Sequence, residues 1–181
     1  MATPVVERPL SEGDWAEMRA ICAETAARPV PEAERDAFGR RWIGPYERWA
    51  PGWAYVARQD GRVVGYLTGC RSTAAFYAKA ALLGPRPALG AAARFPLAIQ
   101  LRLLARYPAH LHVNVQEGHR GGTGRALVER FHADAAAAGA RGVHVFCGEG
   151  PRGFYERLGY AELGALRRGE LRVYALGRRL A

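Results

Sequence analysis

A glycine-rich segment in the second half of the chain has the residue types that bind an anion. It reads QEGHRGGTGRALVERF over residues 116–131 and contains the closely spaced glycines Gly121, Gly122 and Gly124. Glycines let the backbone approach a ligand, and a helix starting there directs its unpaired N–H groups and positive dipole end at the loop. Arg120 and Arg125 add permanent positive charge. The segment alone predicts either a bound phosphate or pyrophosphate, or a glycine turn that serves packing.

Two common nucleotide-binding loops do not match this spacing. A Walker loop requires Lys and then Ser or Thr after its last glycine, whereas Arg125 and Ala126 follow Gly124. A dinucleotide fingerprint requires a small residue three positions after Gly124, where Leu127 stands, and it opens the first strand–helix unit of its domain. The loop must therefore belong to another class of anion site.

The elements around the loop predict one α/β (α+β) domain over residues 1–181 with a mixed sheet. A first strand at residues 5–8 precedes a helix capped by Ser11, and Asp60-Gly61 predicts a hairpin between residues 53–58 and 62–70. Strand, helix and strand over residues 110–147 predict a right-handed parallel crossover. The remaining expectations are a helix and a turn within 29–51, an irregular stretch at 71–89, helices at 91–106 and 125–138, a short helix ending at 154–158, and two strands at 160–176.

The strand at residues 110–115, HLHVNV, alternates between apolar and polar side chains. Leu111, Val113 and Val115 lie on one side, and His110, His112 and Asn114 lie on the other, because successive side chains of a strand point to opposite faces. This pattern predicts a polar face just before the glycine loop.

The loop resembles the pyrophosphate loop of the GNAT superfamily of N-acetyltransferases, whose pattern is Gln or Arg, two residues, Gly, one residue, and Gly or Ala. His119, Gly122 and Gly124 occupy the three motif positions, with His119 in place of Gln or Arg. Downstream, GFYERLGY at residues 153–160 resembles a late motif of the family, and DGRVVGYLTG at residues 60–69 resembles its second and third strands. The order of elements is similar to the superfamily over nearly the whole chain.

The resemblance implies a single GNAT-like domain. Its central sheet would have six to seven strands with helices on both faces, and a splayed cofactor cleft would lie between the fourth and fifth strands. The segment YPAHLHVNV, residues 107–115, followed at this distance by the loop, is similar to a bacterial subgroup related to the acetyltransferase-like domain of O-GlcNAc hydrolase proteins.

The resemblance also implies a reaction, in which a primary amine attacks the thioester of acetyl-CoA directly. Tyr155 matches the family's general acid for the departing CoA thiolate, and a phenol with an ordinary pKa of about 10 keeps its proton at neutral pH. The residues expected to contact the cofactor are Val113, Asn114 and Val115 for the pantetheine arm, and His119, Arg120, Gly121, Gly122, Thr123, Gly124 and Arg125 for the pyrophosphate. No metal is expected.

The group that removes the proton of the amine is left open by the sequence. His112, with an ordinary pKa near 6.5, is a candidate base that acts directly or through water, or else a hydrogen-bonded histidine that structures the cleft. Glu117 and Glu149 are alternatives. The acceptor is expected to be a small molecule or a peptide. The aromatic residues of the early helices are candidates either to line its site or to form part of the core: Trp42, Tyr46, Trp49 and Trp53.

Charge and cysteine usage limit the partners. A net charge of +9 and a pI near 10.1, with Lys79 as the only lysine, fit an anionic partner or an overall arginine bias. A nucleic-acid-binding module is therefore an alternative, but the arginines are scattered and lack a recognition motif. A non-catalytic acyl-CoA-binding protein is a second alternative. Three widely spaced cysteines and the absence of an apolar leader predict a reduced, cytoplasmic protein without a membrane partner. The protein is expected to be a monomer or a homodimer.

A thiol hydrolase that uses Cys147 and His144 is a weaker alternative. Residues 144 and 147 lie on opposite faces of a strand, so the two side chains point apart. Cys147 is expected to be a small buried apolar residue.

Overall fold

The computed structural model describes residues 5–9, 11–83 and 95–180, and within them the chain forms seven strands and six α-helices. The strands are β1 Val5–Glu7, β2 Ala54–Gln59, β3 Arg62–Cys70, β4 Ala109–Val115, β5 Gly142–Cys147, β6 Ala161–Arg168 and β7 Leu171–Arg179. The helices are α1 Glu12–Glu24, α2 Arg35–Trp49, α3 Thr73–Leu83, α4 Leu97–Arg106, α5 Thr123–Ala137 and α6 Glu149–Arg157. Among the described residues no helix combines the length and the apolarity needed to cross a bilayer.

The residues group into two compact units. The first comprises Met1–Gly69 and His112–Ala133, and it contains the strand order β1-β2-β3-β4. The second comprises Cys70–Leu111 and Asp134–Ala181, and it contains the order β4-β5-β7-β6, because β4 contributes residues to both. β4 pairs with β5 in parallel through Ala109 and His110. The pairs β1–β2, β2–β3, β5–β7 and β6–β7 are antiparallel. The predicted mixed sheet of six to seven strands in an α/β fold is confirmed. The predicted single domain and the cofactor cleft stay predictions.

Local sequence signals explain the start of the first unit. Ser11 caps α1 through a capping box, in which its hydroxyl accepts from the Asp14 amide and the Asp14 carboxylate accepts from the Ser11 amide, both at 3.2 Å. Asp60 and Gly61 have φ values of 50° and 79°, as a two-residue type I′ hairpin requires. The predicted capped helix and the predicted hairpin are both confirmed.

The expectation of an irregular stretch at residues 71–89 is wrong for its first part. α3 occupies Thr73–Leu83, and the Ser72 hydroxyl accepts from the Ala75 amide at its N-terminus. The alanine-rich run TAAFYAKAALL has a high helix propensity, and the helix breakers Gly84, Pro85 and Pro87 come only after it. Residues 84–89 lie outside the described residues.

Two helix boundaries differ from the sequence prediction. α4 begins at Leu97, directly after Pro96, and residues 91–94 of the predicted helix lie outside the described residues. The short helix predicted to end at 154–158 is α6, which ends at Arg157 and has Pro151 in its first turn, where amides have no helical acceptor. α5 begins at Thr123, two residues earlier than predicted, and this places Gly124 and Arg125 in its first turn.

Helices α1 and α2 pack closely at Gly39. A Cβ added to Gly39 would lie 2.7 Å from Arg19 Cβ and 2.8 Å from the Arg19 carbonyl oxygen, so only glycine fits there. The buried Arg19 guanidinium donates to Glu47 of α2 at 2.9 Å and to Glu12 of α1 at 2.5 Å. This contact fixes the position of α2, and with it the aromatic side chains that α2 carries.

We expect Gly39→Ala to destabilise the protein relative to Gly44→Ala, a matched change in the same helix. Alanine at position 44 meets no atom within 4 Å beyond its own helix backbone and its chain neighbours. Its helix propensity, worth up to about 1 kcal/mol, is offset by the ring of Pro45, which disfavours a helical residue with a Cβ before it, so we expect little net change in stability. Alanine at position 39 makes the same gain in helix propensity but collides with Arg19, at a cost of about 1–3 kcal/mol. Urea unfolding of the two variants measures the difference, and equal free energies of unfolding would contradict the close contact.

Candidate functional site

The glycine loop leads directly into the first turn of α5. Gly122 has a φ of 93°, its amide donates to the Arg120 carbonyl at 2.7 Å, and its carbonyl accepts from the Ala126 amide at 3.0 Å. Gly122 is therefore the residue before the helix. Helix geometry then leaves the amides of Thr123, Gly124 and Arg125 without an intrahelical acceptor.

The surface of this loop is open. A Cβ added to Gly118, Gly121 or Gly122 would meet no atom within 4 Å. Arg120 and Arg125 are exposed, and the Arg125 guanidinium also pairs with Glu129 one turn later, at 2.7 Å. Backbone N–H groups at a helix N-terminus, flanked by guanidinium groups and with free space in front of them, form a donor set that fits a pyrophosphate.

His119 is held by the β2–β3 hairpin. Its Nδ1 lies 3.0 Å from Gln59 Oε1, and the side chain is half-buried. The structure thus ties the first motif residue of the loop to the end of β2. Its role toward a cofactor stays a prediction.

The polar face predicted for β4 is divided between the two units. His110 is buried in the second unit, where its Nδ1 lies 2.8 Å from Thr73 Oγ1 and 3.2 Å from Cys70 Sγ. His112 and Asn114 belong to the first unit. The polar side of the strand thus has two environments, because Thr73 and Cys70 enclose its first histidine.

A buried tyrosine, Tyr66 of β3, joins the polar residues of β4. Its hydroxyl accepts from Asn114 Nδ2 at 2.9 Å and lies 3.4 Å from His112 Nδ1. Burial raises the pKa of Tyr66 well above its usual value, so the phenol keeps its proton. The buried thiol of Cys22 on α1 lies near the same hydroxyl and contributes to the shift of its pKa.

His112 lies between two aromatic rings. The indole of Trp42 on α2 stacks with the imidazole at a centroid distance of 6.1 Å and an angle of 26°, and the Tyr66 ring is 5.9 Å away on a tilted plane. Burial lowers the pKa of His112 to about 4. The imidazole is therefore uncharged at neutral pH, and one ring nitrogen carries a lone pair.

The end of β4 lies close to β3. A Cβ at Gly65 would be 3.1 Å from Val115 Cγ2 and 3.2 Å from the Asn114 carbonyl oxygen, and the Gln116 amide donates to the Val64 carbonyl at 3.0 Å. Val113, Asn114 and Val115 are half-buried. These contacts position the backbone of β4 just before the loop.

In the second unit, Tyr155 lies in an aromatic cluster. It is buried, with its ring centroid 5.0 Å from that of Phe154 and 5.3 Å from that of Tyr160. Burial raises the pKa of its phenol, and the nearby Cys147 thiol adds to the shift. Tyr155 thus keeps its proton well into the alkaline range, as a general acid must.

The structure weakens two alternatives raised by the sequence. Glu149 accepts a short hydrogen bond from the Tyr174 hydroxyl, so this carboxylate already has a partner, while Glu117 is exposed. Burial raises the pKa of Cys147 to about 11, and His144 Nδ1 donates to the Tyr107 carbonyl at 2.6 Å. A protonated thiol and an engaged imidazole do not form a nucleophile and base pair.

Sequence reasoning placed Trp42 near an acceptor but missed Tyr66. The spacing of Phe38, Trp42, Tyr46 and Trp49 along α2 is the signal for an aromatic stripe. No signal in the sequence links Tyr66 to His112, because their contact joins two strands that are 46 residues apart. Trp53, in contrast, packs edge-on against Phe131 at 5.9 Å and belongs to the interior.

Comparison with solved structures identifies the fold, although no protein-family model matches the chain. The crystal structure of SsHAT superposes with a TM-score of 0.76 at 29% identity, covering 99% of this chain and 100% of SsHAT. A Desulfovibrio desulfuricans structure assigned to the GNAT family of acetyltransferases gives 0.65 at 18% identity, over 98% of this chain and 99% of that one. The NatC complex bound to Gag peptide and CoA gives 0.64 at 12% identity, over 99% and 100%. The chain has the GNAT fold, as its motifs predict.

We expect stability to fall as the pH drops from about 6.5 toward 4, because His112 and His144 both have a folded-state pKa of about 4. Because the pKa of each histidine is lower in the folded state, the unfolded chain binds a proton there at a higher pH than the folded chain does. Each group then contributes stability that is complete above about pH 6.5 and is lost on acidification, by roughly 2 kcal/mol at pH 5. Urea unfolding at several pH values, with His144→Asn as the comparison, measures this loss. If the free energy of unfolding of His144→Asn falls below pH 6.5 as steeply as that of the wild type, the assignment to His144 is contradicted.

Proposed function

We propose that this protein is an acetyl-CoA-dependent N-acetyltransferase of the GNAT superfamily that transfers an acetyl group to a primary amine by direct attack. The observation that carries the proposal is the open glycine loop at the start of α5, on a chain that has the GNAT fold over nearly its whole length. The proposal includes the bacterial subgroup related to the acetyltransferase-like domain of O-GlcNAc hydrolase proteins, on the strength of residues 107–115 and their distance from the loop.

The first unit supplies the groups that would hold the cofactor. The amides of Thr123, Gly124 and Arg125 would bind the pyrophosphate, with the guanidinium groups of Arg120 and Arg125 beside it. The half-buried backbone of residues 113–115 would bind the pantetheine arm as an added strand, and one of its amides would polarise the thioester carbonyl. Acetyl-CoA supplies an activated acetyl group, and the residues need only orient it and manage protons.

His112 has the properties of the base. The Tyr66 oxygen accepts from Asn114 Nδ2 and has a second lone pair 3.4 Å from His112 Nδ1. We assign the imidazole proton to Nδ1, as a donor to that oxygen, which leaves the lone pair on Nε2. His112 Nε2 then takes the proton that the amine loses as its new N–C bond forms, directly or through water.

Tyr155 is the proposed acid. Its raised pKa keeps the phenol protonated, so the hydroxyl can give its proton to the CoA sulfur as the C–S bond breaks and the electron pair leaves with sulfur. His112 takes up one proton and Tyr155 gives one, so the net charge of the reacting groups does not change. Bulk solvent restores both protonation states.

Two other functions make different predictions. A non-catalytic acyl-CoA-binding protein would bind acetyl-CoA without releasing CoA in the presence of amines. A basic nucleic-acid-binding module would bind random DNA or RNA with strong salt dependence. Several arginines are already engaged inside the fold, among them Arg19 and Arg58 with carboxylate partners, which reduces the charge available to a nucleic acid. We propose a cytoplasmic monomer or homodimer that needs neither nucleic acid nor membrane.

The central test is acetyl-CoA-dependent release of CoA over a panel of primary amines. We expect turnover with at least one amine, and a loss of about a hundredfold in kcat for Tyr155→Phe with little change in the Kd for acetyl-CoA. Tyr160→Phe, which removes the hydroxyl of a neighbouring buried tyrosine, is the control and should keep most of the activity. Absence of CoA release with every amine would refute catalysis, and full activity of Tyr155→Phe would refute the acid.

A charge reversal in the loop tests cofactor binding. Gly121→Glu places a carboxylate in open space beside the amides, so it should leave the fold intact but repel the pyrophosphate and raise the Kd for CoA by about tenfold or more. Gly121→Gln, of nearly the same shape but uncharged, should bind much more tightly than the glutamate variant. Isothermal titration with CoA measures both values. Equal affinities of the two variants would show that no anion lies at this loop.

A further inference from the structure

Trp42 and Phe38 form a half-open aromatic surface next to His112, which we call the aromatic shelf. The two residues lie one helical turn apart on α2, with ring centroids 6.2 Å apart. On its other side the Trp42 indole stacks with the His112 imidazole at 6.1 Å. The aromatic shelf therefore extends from the proposed base to the solvent.

The two residues of the shelf differ in how far they join the interior. Phe38 packs against the apolar cluster that contains Trp15 and Ile43, whereas Trp42 leaves 51% of its surface exposed. An indole gains more free energy from burial than almost any other side chain. A half-exposed tryptophan in contact with a half-buried, uncharged histidine is therefore suited to be covered by a ligand that reaches the histidine.

Building on the proposed function, we propose that the aromatic shelf binds the acceptor, and that this acceptor is a primary amine with an aromatic ring one or two carbon atoms from the nitrogen. The nitrogen must come within hydrogen-bond reach of His112, and the indole is centred 6.1 Å from the imidazole. A linker of three bonds spans about 4 Å, since each bond is about 1.5 Å long. The ring of such an amine then packs on Trp42 in an offset or edge-on geometry.

The charge on α2 opposes a polycationic acceptor. Its exposed side chains include the arginines Arg35, Arg41 and Arg48, besides Arg40, whose charge is balanced by Asp36. Its two acidic residues are engaged, since Asp36 pairs with Arg40 at 2.8 Å and Glu47 pairs with the buried Arg19 at 2.9 Å. A polyamine or an aminoglycoside would be repelled by this helix, whereas an aromatic monoamine carries one charge, which it loses before attack.

The test compares matched amines with the wild type and three variants. We expect the wild type to acetylate 2-phenylethylamine with a kcat/KM about tenfold or more above those of n-butylamine and spermidine. Trp42→Ala should lower the value for 2-phenylethylamine by about tenfold, chiefly through KM, and that for n-butylamine by less than about threefold. Trp42→Phe should keep most of the preference, because it retains a ring. Leu82→Ala, which truncates an apolar side chain that is 83% exposed on α3, is the control and should change neither value.

Two results would overturn the acceptor assignment while leaving the acetyltransferase in place. One is a wild type that prefers spermidine or n-butylamine. The other is a Trp42→Ala variant that loses activity equally with every amine through kcat, which would mean that the indole only supports His112.

A binding measurement separates this proposal from the proposed function. Ligand-observed NMR without acetyl-CoA should detect 2-phenylethylamine on the wild type and not on Trp42→Ala. Binding without CoA release would leave the aromatic shelf as the site and refute catalysis. Loss of both binding and turnover would refute the two proposals together.

Discussion

The first unit is organised around one buried hydroxyl, that of Tyr66. A buried hydroxyl without hydrogen-bond partners is costly, and this one is satisfied by two side chains of β4, Asn114 and His112. Because the phenol ring is itself part of the apolar cluster, the position of the oxygen is set by the packing of the core. The orientation of His112 therefore follows from the interior of the unit and not from a surface loop. Trp42 can then stack on an imidazole whose plane is already fixed.

Burial of ionisable groups has opposite uses in the two units. For His112 it lowers the pKa to about 4, which keeps the imidazole neutral and able to accept a proton. For Tyr155 it raises the pKa, which keeps the phenol able to donate one. The same physical effect, the cost of a charge in an apolar environment, thus keeps the imidazole uncharged in one unit and the phenol protonated in the other. Neither group needs a charged partner to reach its protonation state.

Local signals in the sequence predicted the parts of the fold that depend on neighbouring residues. The Ser11 cap, the Asp60-Gly61 hairpin and the strand before the glycine loop are of this kind. The error at α3 arose because the position of the helix breakers decided the outcome: α3 continues to Leu83, and its glycine and prolines come later. The burial of His110 beside Thr73 depends on a distant contact that no local signal predicts. Tyr66 was missed for the same reason, since its role depends on pairing between strands and not on spacing along the chain.

The close contact of Gly39 with Arg19 limits how this fold can change over evolutionary time. No larger residue fits at position 39, so α2 cannot shift or rotate on α1 without loss of packing. Variation on α2 must then arise by exchange of side chains on the outward face of a stationary helix. Positions 38 and 42 can vary in size and polarity while the strands beneath them keep their register. Variation of this aromatic surface is thereby separated from maintenance of the scaffold.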